Sequence, residues 1–153
     1  MDLAFRQMTQ GDIPSTFSVR LSTMENAITM ERLESDYGIT PESVADAMAS
    51  DVKGWVCEDA GVAVGFAMGN ASDGEVLVVS VRPEYERKGI GKNLLARVRD
   101  WLFGAGHEQI WLLTTPDPSL HAYGFYRSLG WQGTGRIQRG DEVMLLRNDD
   151  VQV

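Results

Sequence analysis

The alternation of apolar and polar residues along the chain predicts a series of short strands. Residues 3–9 alternate in the way typical of a half-buried strand, and residues 54–59, 62–70 and 75–81 are apolar segments with glycine-containing turns between them. Because these three segments follow one another closely, they predict an antiparallel meander. A further apolar strand is predicted over residues 108–115.

Apolar residues that recur every three or four positions predict helices before and after the meander. Two of these helices carry clear start signals, since Asp12 stands shortly before Pro14 and Thr40 stands directly before Pro41. A capping side chain followed by proline is typical of a first turn, where backbone N–H groups lack partners. The predicted helical segments are residues 10–22, 23–39, 40–50, 92–102 and 118–130.

The last predicted element is a hairpin over residues 131–147, with its turn around Gly140. The resulting order of elements predicts the α/β class, with a mixed, mostly antiparallel sheet flanked by helices. Residues 76–115 form a strand–helix–strand unit, which predicts one parallel pair of strands within the sheet. Neither an internal repeat nor a linker is visible, so we expect a single domain over residues 1–153.

Composition and spacing exclude several classes of protein. No apolar run is long enough to cross a bilayer, and the first residues lack the pattern of a signal peptide, so we expect a cytoplasmic protein without membrane contact. The single cysteine, Cys57, excludes an intrachain disulfide and fits a reducing compartment. No His, Cys and Asp residues have the spacing of metal ligands, so no metal is expected.

Charge is distributed unevenly over the chain, whose formal net charge is -8. Residues 1–75 hold 13 acidic and 4 basic residues, whereas residues 76–153 hold 9 and 10. We therefore expect a cationic ligand near the first half and a polyanion near the second, with solvated acidic helices as the alternative for the first half. Six of the 14 lysines and arginines lie within residues 82–99, and no basic stripe exists elsewhere, so nucleic-acid binding is not expected.

The basic segment contains a glycine turn between a strand and a helix that begins close to Gly91. The first N–H groups of a helix have no intrahelical partner, and their dipoles point outward. Gly89 and Gly91 carry no Cβ that would keep a ligand away from these donors, while Arg87, Lys88 and Lys92 add positive charge. The segment therefore predicts a cradle for a diphosphate group, with a plain strand-to-helix turn as the alternative.

Two nucleotide-binding motifs with similar glycines do not fit this turn. The dinucleotide fingerprint requires a third glycine three positions after Gly91, where Leu94 stands. The P-loop requires a glycine where Glu86 stands and a Ser or Thr where Asn93 stands. Neither motif therefore identifies the anion.

The segment VSVRPEYERKGIGKNLLARV resembles motif A of the GNAT N-acetyltransferase superfamily. Pro83, Gly89 and Gly91 match that motif in type and spacing. Glu86 stands at the usual Gln/Arg position, with Arg87 one place later. This departure affects one side-chain contact to phosphate and leaves the backbone donors in place.

The segment HAYGFYRSLGW resembles motif B of the same superfamily. Ser119 stands where the motif usually has Asn. The resemblance extends in element order over residues 55–147. The matching residues of motif B are Ala122, Phe125, Tyr126, Leu129, Gly130 and Trp131.

The resemblance implies a GNAT-like fold, in which the central parallel strands splay apart, and acetyl-CoA as cosubstrate without a metal. It also implies that the acetyl group passes directly to a primary amine of a small molecule or a protein. Edge strands of such sheets often pair, so a homodimer is one alternative for the assembly. The positions implied for binding acetyl-CoA are Val79, Ser80, Val81, Arg87, Lys88, Gly89, Ile90, Gly91, Lys92 and Ser119.

Tyr126 stands at the position of the superfamily's usual general acid, which protonates the leaving thiolate. A phenol with a pKa of about 10 and a thiol with a pKa of about 8.5 are close enough for efficient proton transfer. A packed core aromatic is the alternative interpretation of Tyr126.

Glu75 stands eight residues before Pro83, where related enzymes often carry a glutamate that removes the amine proton through water. If the strand is regular, its side chain shares a face with Val79 and Val81. An ordinary acid at a strand edge is the alternative interpretation, and His121 is an alternative base.

The acceptor itself is not identified by any motif. Glu25, Asn26 and Glu31 lie in the helical region that usually forms the acceptor wall, with a solvated helix face as the alternative. Two other functions remain open alongside the enzyme, namely a non-catalytic acyl-CoA-binding sensor and an anion-binding scaffold for a different nucleotide.

Overall fold

The structure, a computed structural model, describes residues 1–23 and 28–151 of the chain. Its strands are β1 (Leu3–Gln7), β2 (Val52–Asp59), β3 (Val62–Asn70), β4 (Glu75–Val81), β5 (Gln109–Thr114), β6 (Gln132–Gln138) and β7 (Asp141–Arg147). They form one seven-stranded sheet in the order β1-β2-β3-β4-β5-β7-β6. Neighbouring strands run antiparallel except β4 and β5, which run parallel. The predicted mixed sheet with a parallel pair is therefore confirmed.

The helices begin and end close to the sequence signals. They are α1 (Ile13–Leu21), α2 (Met30–Tyr37), α3 (Pro41–Met48), α4 (Ile90–Gly104) and α5 (His121–Ser128). Thr40 caps α3 by accepting a hydrogen bond from the Ser43 N–H at 3.1 Å. Residues 24–27 of the predicted helix 23–39 lie outside the described residues. Thr29 caps the start of α2, and Gly38, which has a left-handed backbone conformation, caps its end.

Each face of the sheet has its own hydrophobic core. On one face, α4 packs against the strands through side chains such as Val98 and Leu102, which are completely buried. On the other face, Val19 of α1 and Leu33 of α2 pack with Phe66 of β3. The helices thus cover both sides of the sheet and leave its edges to β1 and β6.

A set of hydrogen bonds fixes α1 next to the end of β4. Arg82, directly after β4, donates from Nη2 to Ser18 Oγ of α1 at 2.9 Å and from Nε to the Ala63 carbonyl at 3.1 Å. Its backbone N–H donates to the Val64 carbonyl at 2.8 Å. The position of α1 is therefore tied to the strand that lines the central opening of the sheet.

The parallel strands β4 and β5 pair near their starts and then separate. Glu75 lies opposite Trp111, whose N–H donates to the Gly74 carbonyl at 3.1 Å, and the described residues contain no further pair between these strands. Beyond this point β5 continues to pair with β7, as far as Thr114 opposite Glu142. The two strands therefore splay apart toward their carboxyl ends, as the resemblance implied.

A β-bulge at Leu77 changes which way the side chains of β4 point. Gly69 of β3 pairs with Val76, whereas the preceding residue of β3 pairs with Val78, so Leu77 is the extra residue. Val76 and Val79 both pack in the core under α4. Glu75, which precedes Val76, therefore lies on the opposite face from Val79. The expectation of a regular strand with these two side chains on one face is thereby corrected.

Two groups of features are not found among the described residues. No helix in residues 1–23 and 28–151 is both long enough and apolar enough to cross a membrane. The same residues contain no cluster of three or more His, Cys, Asp or Glu side chains that could hold a metal ion.

Substitution of Gly69 tests the packing of α4 on the sheet. A Cβ at this position would lie 2.6 Å from Val98 Cγ1, closer than real Cβ atoms approach a neighbour. We therefore expect Gly69→Ala to lower the free energy of unfolding by about 1–3 kcal/mol in urea denaturation. Gly104→Ala is the matched control, because its Cβ meets no atom within 4 Å, and it should leave stability equal or higher. Equal stabilities for the two variants would contradict this account of the core.

Candidate functional site

The splay between β4 and β5 opens into a cavity of about 930 Å3. One part is lined by the loop before α4 and the first turn of α4 (residues 85–87 and 89–92), together with Phe125 and Tyr126 of α5. Another part is lined by residues of α1, α2 and α3, on the opposite face of the sheet from α4. The cavity thus connects the two faces of the sheet through the gap between the parallel strands.

The loop before α4 presents free backbone donors to this cavity. Arg87 has a φ of 61° and Gly89 a φ of 81°, both in the left-handed region. This conformation is costly for a residue with a side chain, and such strain is concentrated at functional sites. The first helical bond runs from the Asn93 N–H to the Gly89 carbonyl at 3.0 Å, so the N–H groups of Ile90 to Lys92 have no acceptor within the helix. The loop therefore combines a helix N-terminus with a left-handed turn, an arrangement suited to an anion.

Gly91 lies where α4, β4 and α5 converge. A Cβ added there would stand 3.5 Å from Phe125 Cζ, 3.7 Å from Val81 Cγ2 and 3.8 Å from Val79 Cγ1. These are ordinary contacts for one carbon atom, but a longer side chain would enter the space between β4 and α5. The glycine thus keeps the path from the loop to the splay open.

The splayed edge of β4 carries backbone groups without a strand partner. Because the Arg82 N–H points to β3, alternation along the strand turns the N–H groups of Val81 and Val79 toward the gap. Ser80 lies between them and pairs with Phe66 of β3. The edge of β4 can therefore accept an extended, amide-containing ligand as though it were an additional strand.

Ser80 also has an unusual side chain. It is 7% exposed, it lines the cavity, and its Oγ has no hydrogen-bond partner among the described residues. A buried hydroxyl without a partner is costly, so the group is suited to bond with a bound molecule.

Tyr126 lines the cavity from α5, and its ring is held by two aromatic neighbours. The Phe125 and Trp131 rings pack edge-on against it, with centroid distances of 5.0 Å and 6.1 Å. Burial raises the pKa of the Tyr126 phenol above its ordinary value. The hydroxyl is therefore protonated throughout the physiological pH range and can act as a proton donor.

Glu75 lines the cavity on the face of the sheet opposite α4. Mainly because of burial, the pKa of its carboxyl is raised to about 7. The negative charge of Asp73 adds to this shift, and the positive charge of Arg139 opposes it. A carboxyl with this pKa is partly ionised at neutral pH and can accept a proton from a substrate.

The structure does not bring every predicted site residue to the cavity. Lys88 and Ser119 are not among the described residues that line the cavity. The Ser119 N–H and Oγ both donate to Asp117 Oδ1, at 2.9 Å and 2.8 Å. His121 lines the cavity, whereas Glu31 does not. The other two predicted residues of the acceptor wall, Glu25 and Asn26, lie outside the described residues.

Several cavity residues were not predicted as site residues from the sequence, and Arg20 and Arg139 are two of them. Arg20 stands in the last turn of α1 and Arg139 in the turn between β6 and β7. No motif surrounds either residue, and an arginine at a helix end normally interacts with the helix dipole. Only the tertiary arrangement identifies them.

Comparison with protein families gives a match over most of the chain. The family model described as the acetyltransferase (GNAT) family matches residues 20–131. No curated protein matches the sequence significantly.

Solved structures share the fold at low sequence identity. PaiA N-acetyltransferase from Thermoplasma acidophilum, in complex with coenzyme A, has a TM-score of 0.80 at 19% identity and covers 96% of this chain and 99% of its own. The ribosomal-protein-S18-alanine N-acetyltransferase from Escherichia coli has a TM-score of 0.72 at 18% identity, with coverage of 99% and 96%. YncA from Salmonella typhimurium, a candidate acetyltransferase with its cofactor acetyl-CoA, has a TM-score of 0.71 at 18% identity, with coverage of 100% and 98%. At these identities the likeness shows the fold alone.

The raised pKa of Glu75 predicts a pH dependence of stability. The pKa of Glu75 is about 7 in the folded protein, against an ordinary value of 4.5. Between these two pH values the unfolded chain releases the proton more readily than the folded protein does, so the free energy of unfolding falls as pH rises through this interval. We expect Glu75→Gln, which stays neutral, to be more stable than the original protein at pH 8 and equally stable at pH 4. Thermal unfolding at both pH values measures this. An equal difference at both would contradict a buried, weakly ionised Glu75.

Proposed function

Because the chain belongs to the GNAT acetyltransferase family, we propose that it transfers the acetyl group of acetyl-CoA directly to a primary amine. The observation that carries this proposal is the continuous path from the donor-rich loop, through the splay of β4 and β5, to Glu75 on the other face. A donor molecule with a diphosphate, an extended amide-containing arm and a terminal thioester matches this path in the order of its groups.

The residues of the loop fit a diphosphate. The free N–H groups of Ile90, Gly91 and Lys92 point outward from the start of α4, and Arg87 and Lys92 line the same part of the cavity. Backbone donors and positive side chains together stabilise an anion more than either does alone. Lys88 lies close in sequence and adds to the local positive potential.

The splayed edge of β4 fits the arm and the reacting carbonyl. The Val79 and Val81 N–H groups are oriented toward the gap, where amide groups of the arm can pair with them. One of these donors is placed to stabilise the negative oxygen that develops when the thioester carbonyl is attacked. We assign no role to Ser119, because its hydroxyl bonds to Asp117.

Glu75 is the proposed base. An alkyl ammonium cannot attack a carbonyl, so one proton must first leave the nitrogen, and a carboxylate with a pKa of about 7 can accept it directly or through water. The nitrogen lone pair then forms the new C–N bond while the C–S bond breaks, and the nitrogen loses its second proton to solvent as it becomes an amide. His121 also lines the cavity and is the alternative base.

Tyr126 is the proposed acid. The electron pair of the breaking C–S bond leaves on sulfur, which takes up the phenolic proton. The raised pKa of the buried phenol makes it a weaker acid than assumed from its ordinary value. Burial also raises the pKa of a thiol in the same surroundings, so the proton remains transferable.

Acetyl-CoA binding depends on the loop. We expect Lys92→Ala to weaken coenzyme A binding in calorimetry by about 10-fold, with a larger loss at low ionic strength, because one charge-assisted contact to phosphate is removed. Lys53→Ala is the matched control, since Lys53 lies over the Trp101 ring, away from the cavity. Unchanged affinity in Lys92→Ala would contradict this position for the diphosphate.

Turnover depends on Tyr126 and Glu75. We expect Tyr126→Phe to lower kcat by about 10- to 1,000-fold with little change in coenzyme A affinity, measured as thiol release from acetyl-CoA with a panel of amines.

In the original protein, kcat/KM should rise with pH through about 7 as Glu75 loses its proton. The variant Glu75→Gln should lack this rise of kcat/KM with pH. Saturable coenzyme A binding with no turnover of any amine would instead favour a non-catalytic acyl-CoA-binding domain.

A further inference from the structure

We name the part of the cavity that is lined by residues of α1, α2 and α3 the acceptor side. The charged residues that line it differ from those expected from the net charge of this half of the chain. Residues 1–75 hold 13 acidic and 4 basic residues. Nevertheless, the charged residues from this half that line the described cavity are Arg20, Arg32 and Glu75. The acids of the first half therefore lie mostly on the outer surface, and the acceptor side contains arginines.

Arg20 is the most unusual of these arginines. Its side chain is partly buried in the cavity wall, yet no described residue accepts a hydrogen bond or forms an ion pair with its guanidinium. The bond found at Arg20 involves only its backbone carbonyl, which accepts from Thr23 Oγ1 at 3.0 Å. Burial lowers the pKa of the guanidinium, and the phenol of Tyr37 acts in the opposite direction. A desolvated guanidinium with five N–H donors is costly unless an anion meets it.

The other arginines on this side do not share this character. Arg32 pairs with Asp36 on α2, with 3.1 Å between Nε and Oδ2, and its side chain is 60% exposed. Arg139 is exposed in the hairpin turn and acts on Glu75 by its charge. Arg20 therefore differs from both, because it is partly buried in the cavity wall and its guanidinium has no ion-pair partner among the described residues.

The acids on this side resist ionisation. Burial raises the pKa of Glu75 to about 7 and also raises the pKa of Asp141 above its ordinary value. Glu75, whose pKa is about 7, is therefore only partly ionised at neutral pH. A substrate with several cationic amines would meet arginines without enough carboxylate to balance them.

We propose that the amine acceptor carries an anionic group, a carboxylate in the first place, and that Arg20 binds this group. This inference rests on the proposed function, because it concerns the second substrate of that reaction. The acceptor amine lies toward Glu75 and the anionic group lies against the guanidinium, which can bond a carboxylate with two parallel N–H donors. Ile28, Ile39 and Val44 line the same side, so the part of the substrate that packs against them is apolar, like the side chain of an aliphatic α-amino acid.

The first experiment compares acceptors that differ in charge. Thiol release from acetyl-CoA is measured with the twenty amino acids, with the carboxamide of the best amino acid, with O-phosphoethanolamine and with spermidine. We expect the best amino acid to exceed its own carboxamide in kcat/KM by about 10- to 100-fold, the range of one charge-assisted contact. A preference for O-phosphoethanolamine would assign phosphate as the anionic group. A carboxamide or spermidine used as well as the amino acid would overturn the inference and leave the proposed function intact.

The second experiment assigns the selectivity to Arg20. Arg20→Gln should remove most of the preference of the original protein for the amino acid over its carboxamide, with the loss in KM for the amino acid and not in KM for acetyl-CoA. Arg20→Lys, which keeps the charge without the two parallel donors, should retain part of it. Arg136→Gln is the matched control, because this arginine lies on β6 outside the cavity lining, and it should change nothing.

Stability and binding measurements keep the two proposals separate. The thermal midpoint of each variant shows whether Arg20→Gln is folded; a lower midpoint with unchanged selectivity would assign Arg20 a structural role and overturn the inference. If no amine is acetylated, the proposed function fails, and thermal shift with coenzyme A and the N-acetyl amino acids then tests the site without turnover. Stabilisation of the original protein that is lost in Arg20→Gln would still support the anion site, whereas equal responses would overturn it.

Discussion

Within residues 1–23 and 28–151, no strand pairs with the backbone N–H groups of Val79 and Val81, because β5 leaves β4 after Trp111 and continues to pair with β7. Unpaired donors inside a folded protein are costly unless water or a ligand bonds to them. The rest of the site depends on this gap. The cavity passes through this gap from one face of the sheet to the other. The start of α4 contacts the edge of β4 at Gly91, and Glu75 lies at the point from which the strands separate.

Much of this arrangement could be predicted from the sequence, because it depends on local patterns. The bounds of β3 and β4 follow from short apolar segments between glycine turns, and the start of α4 follows from its glycines and apolar spacing. The parallel pair follows from the order strand, helix, strand. The face occupied by Glu75 could not be predicted, since the bulge at Leu77 is determined by pairing with β3 and not by the residues of β4 alone. The hydroxyl of Ser119 could not be placed either, because its turn with Asp117 competes with the cavity.

The same distinction applies to charge. Composition predicted a cationic ligand for the first half of the chain, because that half is rich in acids. The fold keeps most of these acids away from the cavity wall and brings Arg20 to it, so the net charge of the half-chain does not describe the residues that line the acceptor side. Burial of a particular side chain is a tertiary property, and no periodicity within α1 distinguishes Arg20 from an exposed arginine at a helix end.

Burial also explains why one site can contain both a base and an acid. Removal from water disfavours the charged form of any group, so it shifts the carboxyl of Glu75 and the phenol of Tyr126 in the same direction. For the carboxyl, the shift ends near neutral pH, where it can both accept and release a proton. For the phenol, the shift keeps the proton in place at neutral pH, and in the proposed transfer that proton passes to the leaving thiolate, whose basicity burial raises as well. The two groups lie in different parts of the cavity, so in the proposed transfer a single physical cause gives them opposite roles. The unpaired edge of β4 is the part of the site proposed to hold the carbonyl that reacts.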